Sequence, residues 1–367
     1  MSITKNLIGN GGYGCVVQPP FISNKYVAKY IEYTNPSDKD VGKLFIVDNR
    51  SSNFFKKELQ ILSAVDIIDP NHTFTVAVKG ANVIEASLIT EKKIQDCLEI
   101  KSNANKIYQI IFENGGKEIN QIKDHSIPFT VFLKMLKIFL TGMQKLKSFG
   151  FVHQDIKLDN VLISDSKIAL IDFGIAQEAN KIFTQENKYI LENLTVHRPP
   201  EYYIASRSLK TTESTNQFLH NLQSIADDLT ETYYKKILNY KSYENAKIEI
   251  NNFVKETRDN NMSFQDVFNN DMAYKADMFG LSILLRVLVT KIDFIETTKT
   301  IDKTLFSNIY KMTSQLNPNK RVSVDELLAY IEKSSIHPLT GGTIKRLRIP
   351  KFKTTRKKQI PFIIRKI

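Results

Sequence analysis

The sequence predicts an α+β fold, with strands gathered toward the N-terminus and helices after them. Two observations carry the prediction. Apolar runs of strand length fall early: Val16-Val17-Gln18-Pro19-Pro20, which ends at its prolines, then Tyr26-Val27-Ala28-Lys29-Tyr30-Ile31 and Tyr108-Gln109-Ile110-Ile111-Phe112. A recurrence at three- and four-residue steps then sets in. Phe129, Phe132, Leu133, Leu136, Phe139, Leu140, Met143 and Leu146 predict a long amphipathic helix, stopped by Gly150. At 367 residues the chain is long enough to bury a substantial core.

Each element has its own justification. Ile8-Gly9-Asn10-Gly11-Gly12-Tyr13-Gly14-Cys15-Val16 reads G-x-G-x-x-G-x-V. Without a Cβ, backbone amides of such a loop can approach phosphates. Dinucleotide-binding turns share the pattern, but they need a helix directly after the glycines. Here the glycines lead into a strand. Phe55, Leu59 and Leu62 predict a helix over 53–62, capped by Ser51 or Ser52 and carrying Glu58. The polar stretch from Asn35 to Arg50 reads as an insertion before it. Gly115-Gly116 makes a turn after the strand at 108–112. Val161-Leu162-Ile163 and Ile168-Ala169-Leu170-Ile171 form a short hairpin around Ser164-Asp165-Ser166.

The chemistry concentrates in His153-Gln154-Asp155-Ile156-Lys157-Leu158-Asp159-Asn160 and, past the hairpin, Asp172-Phe173-Gly174. Transfer of a phosphoryl group from ATP to a hydroxyl needs a carboxylate to orient the hydroxyl and a cation to neutralise the transferred group. It also needs an amide oxygen and a second carboxylate to hold magnesium. The spacing from Asp155 to Asn160 is that of H-x-D-x-x-x-x-N. Arg198-Pro199-Pro200-Glu201, Tyr274-Lys275-Ala276-Asp277-Met278-Phe279-Gly280-Leu281 and Leu316-Asn317-Pro318-Asn319-Lys320-Arg321 follow in order. Together these motifs resemble those of the eukaryotic-type protein kinases, from about Ile8 to about Arg321.

The resemblance implies a bilobal fold with a small β-rich N-lobe and a larger, mainly helical C-lobe. The N-lobe would take residues 1–116 and the C-lobe 117–335, with a basic tail over 336–367. It implies ATP and Mg2+, with Mn2+ as an alternative ion. Gly9, Asn10, Gly11, Gly12, Gly14 and Val16 would cover the nucleotide. Lys29, paired with Glu58, would position the phosphates. Phe112 would back the adenine pocket, and backbone groups from Glu113 to Gly115 would bond the adenine. Asp155 would orient the hydroxyl, Lys157 would stabilise transferred charge, and Asn160 and Asp172 would hold the metal. Asp277 would brace the catalytic loop, and Glu201 would pair with Arg321.

Lys157, two residues after Asp155, marks the Ser/Thr branch of that family, so the expected acceptors are Ser and Thr hydroxyls of proteins. Three departures stand out. Gln154 replaces the usual Arg, which predicts activity independent of activation-loop phosphorylation. A stretch of about 206–271 is additional, with helical patches at Phe218, Leu222, Ile225 and Leu229. Thr195 is one position away from the Thr that normally meets the catalytic Asp and Lys. Two other function classes compete. A pseudokinase acting as a binding scaffold would normally have lost Lys29, Asp155 or Asp172. A small-molecule kinase would be expected to lack Lys157, the glycine of Asp172-Phe173-Gly174 and the Pro-Pro-Glu element.

Composition narrows the setting. The formal net charge is +12, and the last 23 residues hold ten Lys and Arg with no acid. Subtracting those ten leaves +2 for the rest, so the tail makes the protein basic. Such a tail suits nucleic acid, an acidic protein, a membrane surface or a localisation signal. No window reaches the roughly 18 apolar residues of a membrane span, and the N-terminus carries no signal-peptide pattern. Cys15 and Cys97 are the only cysteines, which predicts an intracellular, reducing location, cytoplasm or nucleus, with Cys15 merely filling space. The Ile, Asn and Lys bias suggests an AT-rich genome such as that of a large DNA virus, for which a virion location would also fit.

Overall fold

The computed structural model describes residues 5–11, 14–22, 37–46, 51–98, 106–122, 125–192, 195, 198–211, 214–235, 240–295 and 299–336. Lys29, Gly12 and the basic tail lie outside the described residues.

A five-stranded antiparallel sheet forms the first part. Its strands are β1 (Asn6–Gly11), β2 (Gly14–Gln18), β3 (Val41–Ile46), β4 (Val78–Glu85) and β5 (Lys106–Phe112), in the order β1-β2-β3-β5-β4. β3 falls inside the stretch read from sequence as a polar insertion, which corrects that reading. Its residues Val41, Leu44, Phe45 and Ile46 supply a strand pattern despite polar neighbours on both sides. β2 and β3 approach closely at Gly14, where a Cβ would collide with the Leu44 carbonyl.

The sheet has two covered faces. Successive side chains alternate, so Phe45 joins the core beneath helix α1 (Ser51–Ile68), while Leu44 joins a smaller cluster on the other side. Phe55 packs edge-on to Phe45, at 5.6 Å between ring centroids, and stacks on Tyr108 at 4.4 Å. The outer face is covered by α2 (Lys92–Leu98), which lies between β4 and β5 in sequence. Through α2, Cys97 reaches Cys15 and forms a disulfide. Cys15 is therefore not the free, space-filling thiol read from sequence. The link spans 82 residues, a separation from which pairing could not be inferred.

The second part is mainly helical. It begins with short strands β6 (Lys117–Glu118) and β7 (His125–Pro128), then α3 (Phe129–Ser148). The predicted stripe of α3 is buried along its length, from Phe129 to Leu146. Gly150, at φ +82, takes the left-handed turn that ends it. β8 (Phe151–Val152) pairs with β11 (Gln177–Glu178), and β9 (Val161–Ile163) forms a three-stranded sheet with β10 (Ile168–Leu170) and β6. β12 (Ile292–Ile295) pairs in parallel with β7.

After α4 (Lys188–Leu191), α5 (Pro200–Thr211) and α6 (Thr215–Asp228) come a π-helical turn, Leu229–Tyr234, and the helix Tyr240–Asp259. They enclose a core of their own with Phe218, Leu222, Tyr234, Phe253 and Phe264. That core reaches Met272, Ala273 and Ala276 at the start of the helix Asn270–Lys291, here called the central helix. The described part of 206–271, the stretch expected from sequence to be additional, thus packs onto the helical part. The central helix is apolar on several sides, as befits a helix enclosed by others. Among the described residues, no helix is long and apolar enough to cross a membrane.

Candidate active site

The site lies between the sheet and the helical part, and its first group of residues is built around Lys43. Lys43 sits on β3, on the same face as Phe45, and so points toward α1 rather than toward α2. Its Nζ donates to both Glu58 oxygens, at 2.7 and 2.8 Å, and to Asp172 Oδ1 at 2.8 Å. Glu58 is buried on α1, three residues from Phe55 and four from Leu62, whose packing fixes the helix face. Burial would depress the Lys43 pKa, but the two carboxylates outweigh it and hold the ammonium well above its ordinary value. Burial also tends to raise Asp172, and there Lys43 wins, keeping the carboxyl below its ordinary value. Glu58 moves the other way, because burial exceeds its share of a lysine that also serves Asp172.

Six residues from Asp155 to Asn160 form the second group. Lys157 Nζ donates to Asp155 Oδ2 at 2.6 Å. Asn160 Nδ2 donates to the same oxygen at 2.8 Å and to the Asp155 carbonyl at 2.9 Å. The Asn160 carbonyl accepts from Ile171 N at 3.0 Å, which ties the loop to the residue before Asp172. The β9–β10 hairpin makes this possible, since it returns the chain from Asn160 to Ile171.

The loop is held in an unfavourable conformation by the central helix. Gln154 has φ +68 and Asp172 has φ +62, a region that costs a non-glycine residue about 1–3 kcal/mol. Asp277 accepts from the amides of His153 and Gln154, both at 2.8 Å, as expected from sequence. Gly280, one turn further, lets the helix reach the loop: a Cβ there would lie 2.5 Å from the Ile156 carbonyl. Asp277 is itself buried without a cation among these contacts, and burial pushes its carboxyl up to about 7.

His153 joins the loop to the residue before Asp172. Its Nδ1 accepts from Asp155 N at 3.3 Å, so the neutral ring carries its proton on Nε2 and donates to the Ile171 carbonyl at 3.0 Å. Burial lowers its pKa and favours that neutral form. Phe173 packs against the imidazole edge at 4.9 Å between centroids. Gln154 is also buried, and its Nε2 donates to the Ile175 carbonyl at 2.6 Å.

A remote pair completes the frame. Arg321 binds Glu201 through both guanidinium nitrogens, one of them at 3.1 Å to Oε2, and both side chains are fully buried. Arg321 Nε also donates to the Gln315 carbonyl at 2.9 Å. This is the pairing expected from sequence.

A family model described as protein kinase domain matches residues 3–331. The chain belongs to the protein kinase family. Among its relatives is homeodomain-interacting protein kinase 1 of Caenorhabditis elegans, 29% identical over 111 residues, covering 29% of this chain and 13% of that protein. A probable serine/threonine-protein kinase of Dictyostelium discoideum is 27% identical over 181 residues, covering 48% of this chain and 36% of the relative. RGS domain-containing serine/threonine-protein kinase A of the same organism is 24% identical over 263 residues, covering 70% and 19%. The chain thus spans only a minor part of each relative's length.

In this kinase, Glu58, Asp155, Lys157, Asn160 and Asp172 come together. Among the described residues the lysine that reaches Glu58 and Asp172 is Lys43; Lys29, the lysine expected from sequence, lies outside them. Lys43 carried a usable signal: it interrupts the apolar run from Val41 to Ile46, 15 residues before Glu58. Gly9, Asn10, Gly11, Gly14 and Val16 lie on the β1–β2 hairpin, with Gly9 opposite Val16, Asn10 opposite Cys15 and Gly11 opposite Gly14. Val16 in turn faces Lys43 across β3. Glu113 follows β5, and its amide donates to the Ala77 carbonyl at 2.9 Å. Its side chain accepts from Lys167 at 3.3 Å, a contact sequence reasoning did not anticipate.

Asn160 and Asp172 offer oxygen donors only, a set that suits a hard divalent cation such as Mg2+. Because Asn160 Nδ2 is turned onto Asp155, its amide oxygen is fixed away from that carboxylate. The donor set therefore fits the metal that the family implies.

Proposed function

We propose that this kinase transfers the γ-phosphoryl of ATP to Ser or Thr hydroxyls of protein substrates. The observation that carries the reading is the 2.6 Å contact of Lys157 with Asp155. A cation this near the base can neutralise the transferred phosphoryl while a short hydroxyl side chain reaches the same carboxylate.

On this reading the β1–β2 hairpin covers the phosphates, and Lys43, in place of Lys29, positions the α and β phosphates. Glu58 holds the Lys43 ammonium in place. Adenine would meet the carbonyl of Glu113 rather than its amide. Asn160 and Asp172 would hold Mg2+, which supplies charge neutralisation to the phosphates when bound. Asp155 orients the acceptor hydroxyl and receives its proton. His153, Asp277 and Gly280 keep Asp155 where the loop needs it.

Gln154 gives the reading a regulatory consequence. Arg at this position would need an anionic partner on the activation segment, the stretch between Asp172-Phe173-Gly174 and Pro199-Pro200-Glu201. Gln154 is neutral, buried and bonded to the Ile175 carbonyl, so the segment is anchored without a phosphate. Activity should therefore appear in unphosphorylated enzyme. A scaffold without turnover is less well supported, because Lys43, Asp155 and Asp172 are all present, with Lys43 bonded to Asp172 and Asp155 tied toward it through Asn160 and Ile171.

The test is transfer of labelled γ-phosphate from MgATP by unphosphorylated enzyme to a protein and peptide panel, with Asp155→Ala as control. Label on Ser or Thr, absent with the variant, is expected while nucleotide binding and melting temperature stay near wild type. Label on Tyr alone would overturn the acceptor class. Undiminished transfer by Asp155→Ala would overturn the site.

A further inference from the structure

Cys15 and Cys97 take no part in the proposed chemistry, yet their placement bears on it. Cys15 is one residue past Gly14 on β2, opposite Asn10 of β1 and Leu44 of β3. Strand alternation turns Cys15 and Val17 toward the outer face of the sheet, while Val16 between them lies opposite Lys43. The disulfide thus holds the nucleotide hairpin from behind.

The partner is brought there at some length. β4 and β5 are adjacent antiparallel strands, which a short turn can connect. Instead residues 86–105 intervene, and α2 within them lies over β1, β2 and β3. Ile94 and Leu98 of α2 share a buried cluster with Cys15, Val17 and Leu44. β1 is the edge of the sheet, so the hairpin has a strand neighbour only on the β3 side. The contact with α2 is therefore a second restraint on it, beside the bond from the Gln18 side-chain amide to the Lys39 carbonyl.

We propose that Cys15 and Cys97 form a redox modification site that sets how freely the nucleotide hairpin lifts from the cleft. The proposal rests on the kinase reading. Oxidation joins the two Sγ atoms as each thiol gives up one proton and one electron. A low-molecular-weight disulfide such as glutathione disulfide takes up both, its own S–S bond breaking to two thiols. A thiol reductant reverses the exchange. In the joined form β2 moves only with α2, so the hairpin opens less readily and nucleotide leaves slowly. In the dithiol form only apolar packing connects them, and the hairpin opens more readily. Oxidation should lower both KM for ATP and kcat, provided nucleotide release limits turnover.

The full chain would be equilibrated with glutathione disulfide or with a phosphine reductant. Its state would be assigned by intact mass and by thiol count after denaturation. Release of a fluorescent ADP analogue with Mg2+ would then be timed by stopped flow, with Cys97→Ser and Cys97→Ala as redox-insensitive controls. Release about fivefold or more slower from the oxidised protein, with both variants matching the reduced form, is the expected result. Two free thiols after oxidation, or equal release from the two states, would overturn the clamp alone. No nucleotide binding in either state, despite a formed disulfide, would overturn the nucleotide reading and the clamp with it.

Discussion

Two ion pairs in this kinase use the same chemistry for different ends. Glu201 and Arg321 are both fully buried, and their pairing is bidentate. Lys43 serves two carboxylates at once, and one of them, Asp172, keeps 32% of its side chain exposed to the cleft. A closed pair with all three guanidinium nitrogens engaged can only hold parts together. On the proposed function, an open triad with one cation between two acids exchanges partners when phosphates and metal arrive. The two sets differ in the partial exposure of Asp172 rather than in distance, since both sets of contacts are short.

Breaking the closed pair should have the largest effect on stability. Arg321→Met leaves Glu201 charged and buried, and also removes the bonds to the Gln315 and Lys275 carbonyls. A loss of about 3–5 kcal/mol is expected, read from denaturant unfolding. The double variant Glu201→Leu with Arg321→Met should recover part of it, because no stranded charge remains. If the single variant loses less than about 1 kcal/mol, the pair is not part of the frame.

Breaking the open triad should instead act on turnover. Lys43→Met should lower kcat/KM for ATP by roughly 100- to 1000-fold, the effect of removing one preorganised charge from a transferring group. The melting temperature should change far less than with Arg321→Met. Lys29→Met, tested beside it, should leave turnover near wild type. The opposite result, with Lys29 essential and Lys43 dispensable, would show that the lysine of β3 is not the phosphate ligand.

That contrast also explains what the sequence revealed. The loop from Asp155 to Asn160 was legible because its bonds are local: Asp155, Lys157 and Asn160 lie within six residues and bond to one another. Asp277 and the Glu201–Arg321 pair were legible because each sits in a distinctive short motif. Lys43 was missed because a strand lysine has only its apolar neighbours as context, and Val27-Ala28-Lys29 offered the same pattern earlier in the chain. The disulfide was missed because nothing in the spacing of two cysteines encodes the path of α2. The tie from Gln154 to Ile175 depends on how a φ of +68 aims one side chain, which no residue pattern states.

A third buried acid sharpens the comparison. Asp277 has two backbone amides but, among the described residues, no cation like Arg321, and its carboxyl is raised to about 7. A folded pKa above the unfolded one means that the folded state binds the proton more tightly. The resulting stability is complete below about pH 4 and is lost as pH rises through about 7. Asp277→Asn, which is neutral throughout, should flatten unfolding free energy against pH over that window. A profile with the same slope in both proteins would place the titration elsewhere.

The smallest effect belongs to Gln154, a neutral link between loop and activation segment. Gln154→Leu keeps the apolar fit but removes the donor to the Ile175 carbonyl, a bond worth about 0.5–1.5 kcal/mol. If the bond positions the segment in the reactive state, kcat should fall by between about twofold and tenfold, with nucleotide affinity unchanged. Gln154→Glu should behave worse, since its carboxylate cannot donate and would be buried facing a carbonyl. Gln154→Arg is the informative reversal. It supplies the cation that the family normally uses, so any activity it retains should respond to a phosphomimetic acid in the activation segment, whereas the wild-type enzyme should not. A wild-type enzyme that gains activity with the same acid would mean that Gln154 leaves the segment waiting for charge after all.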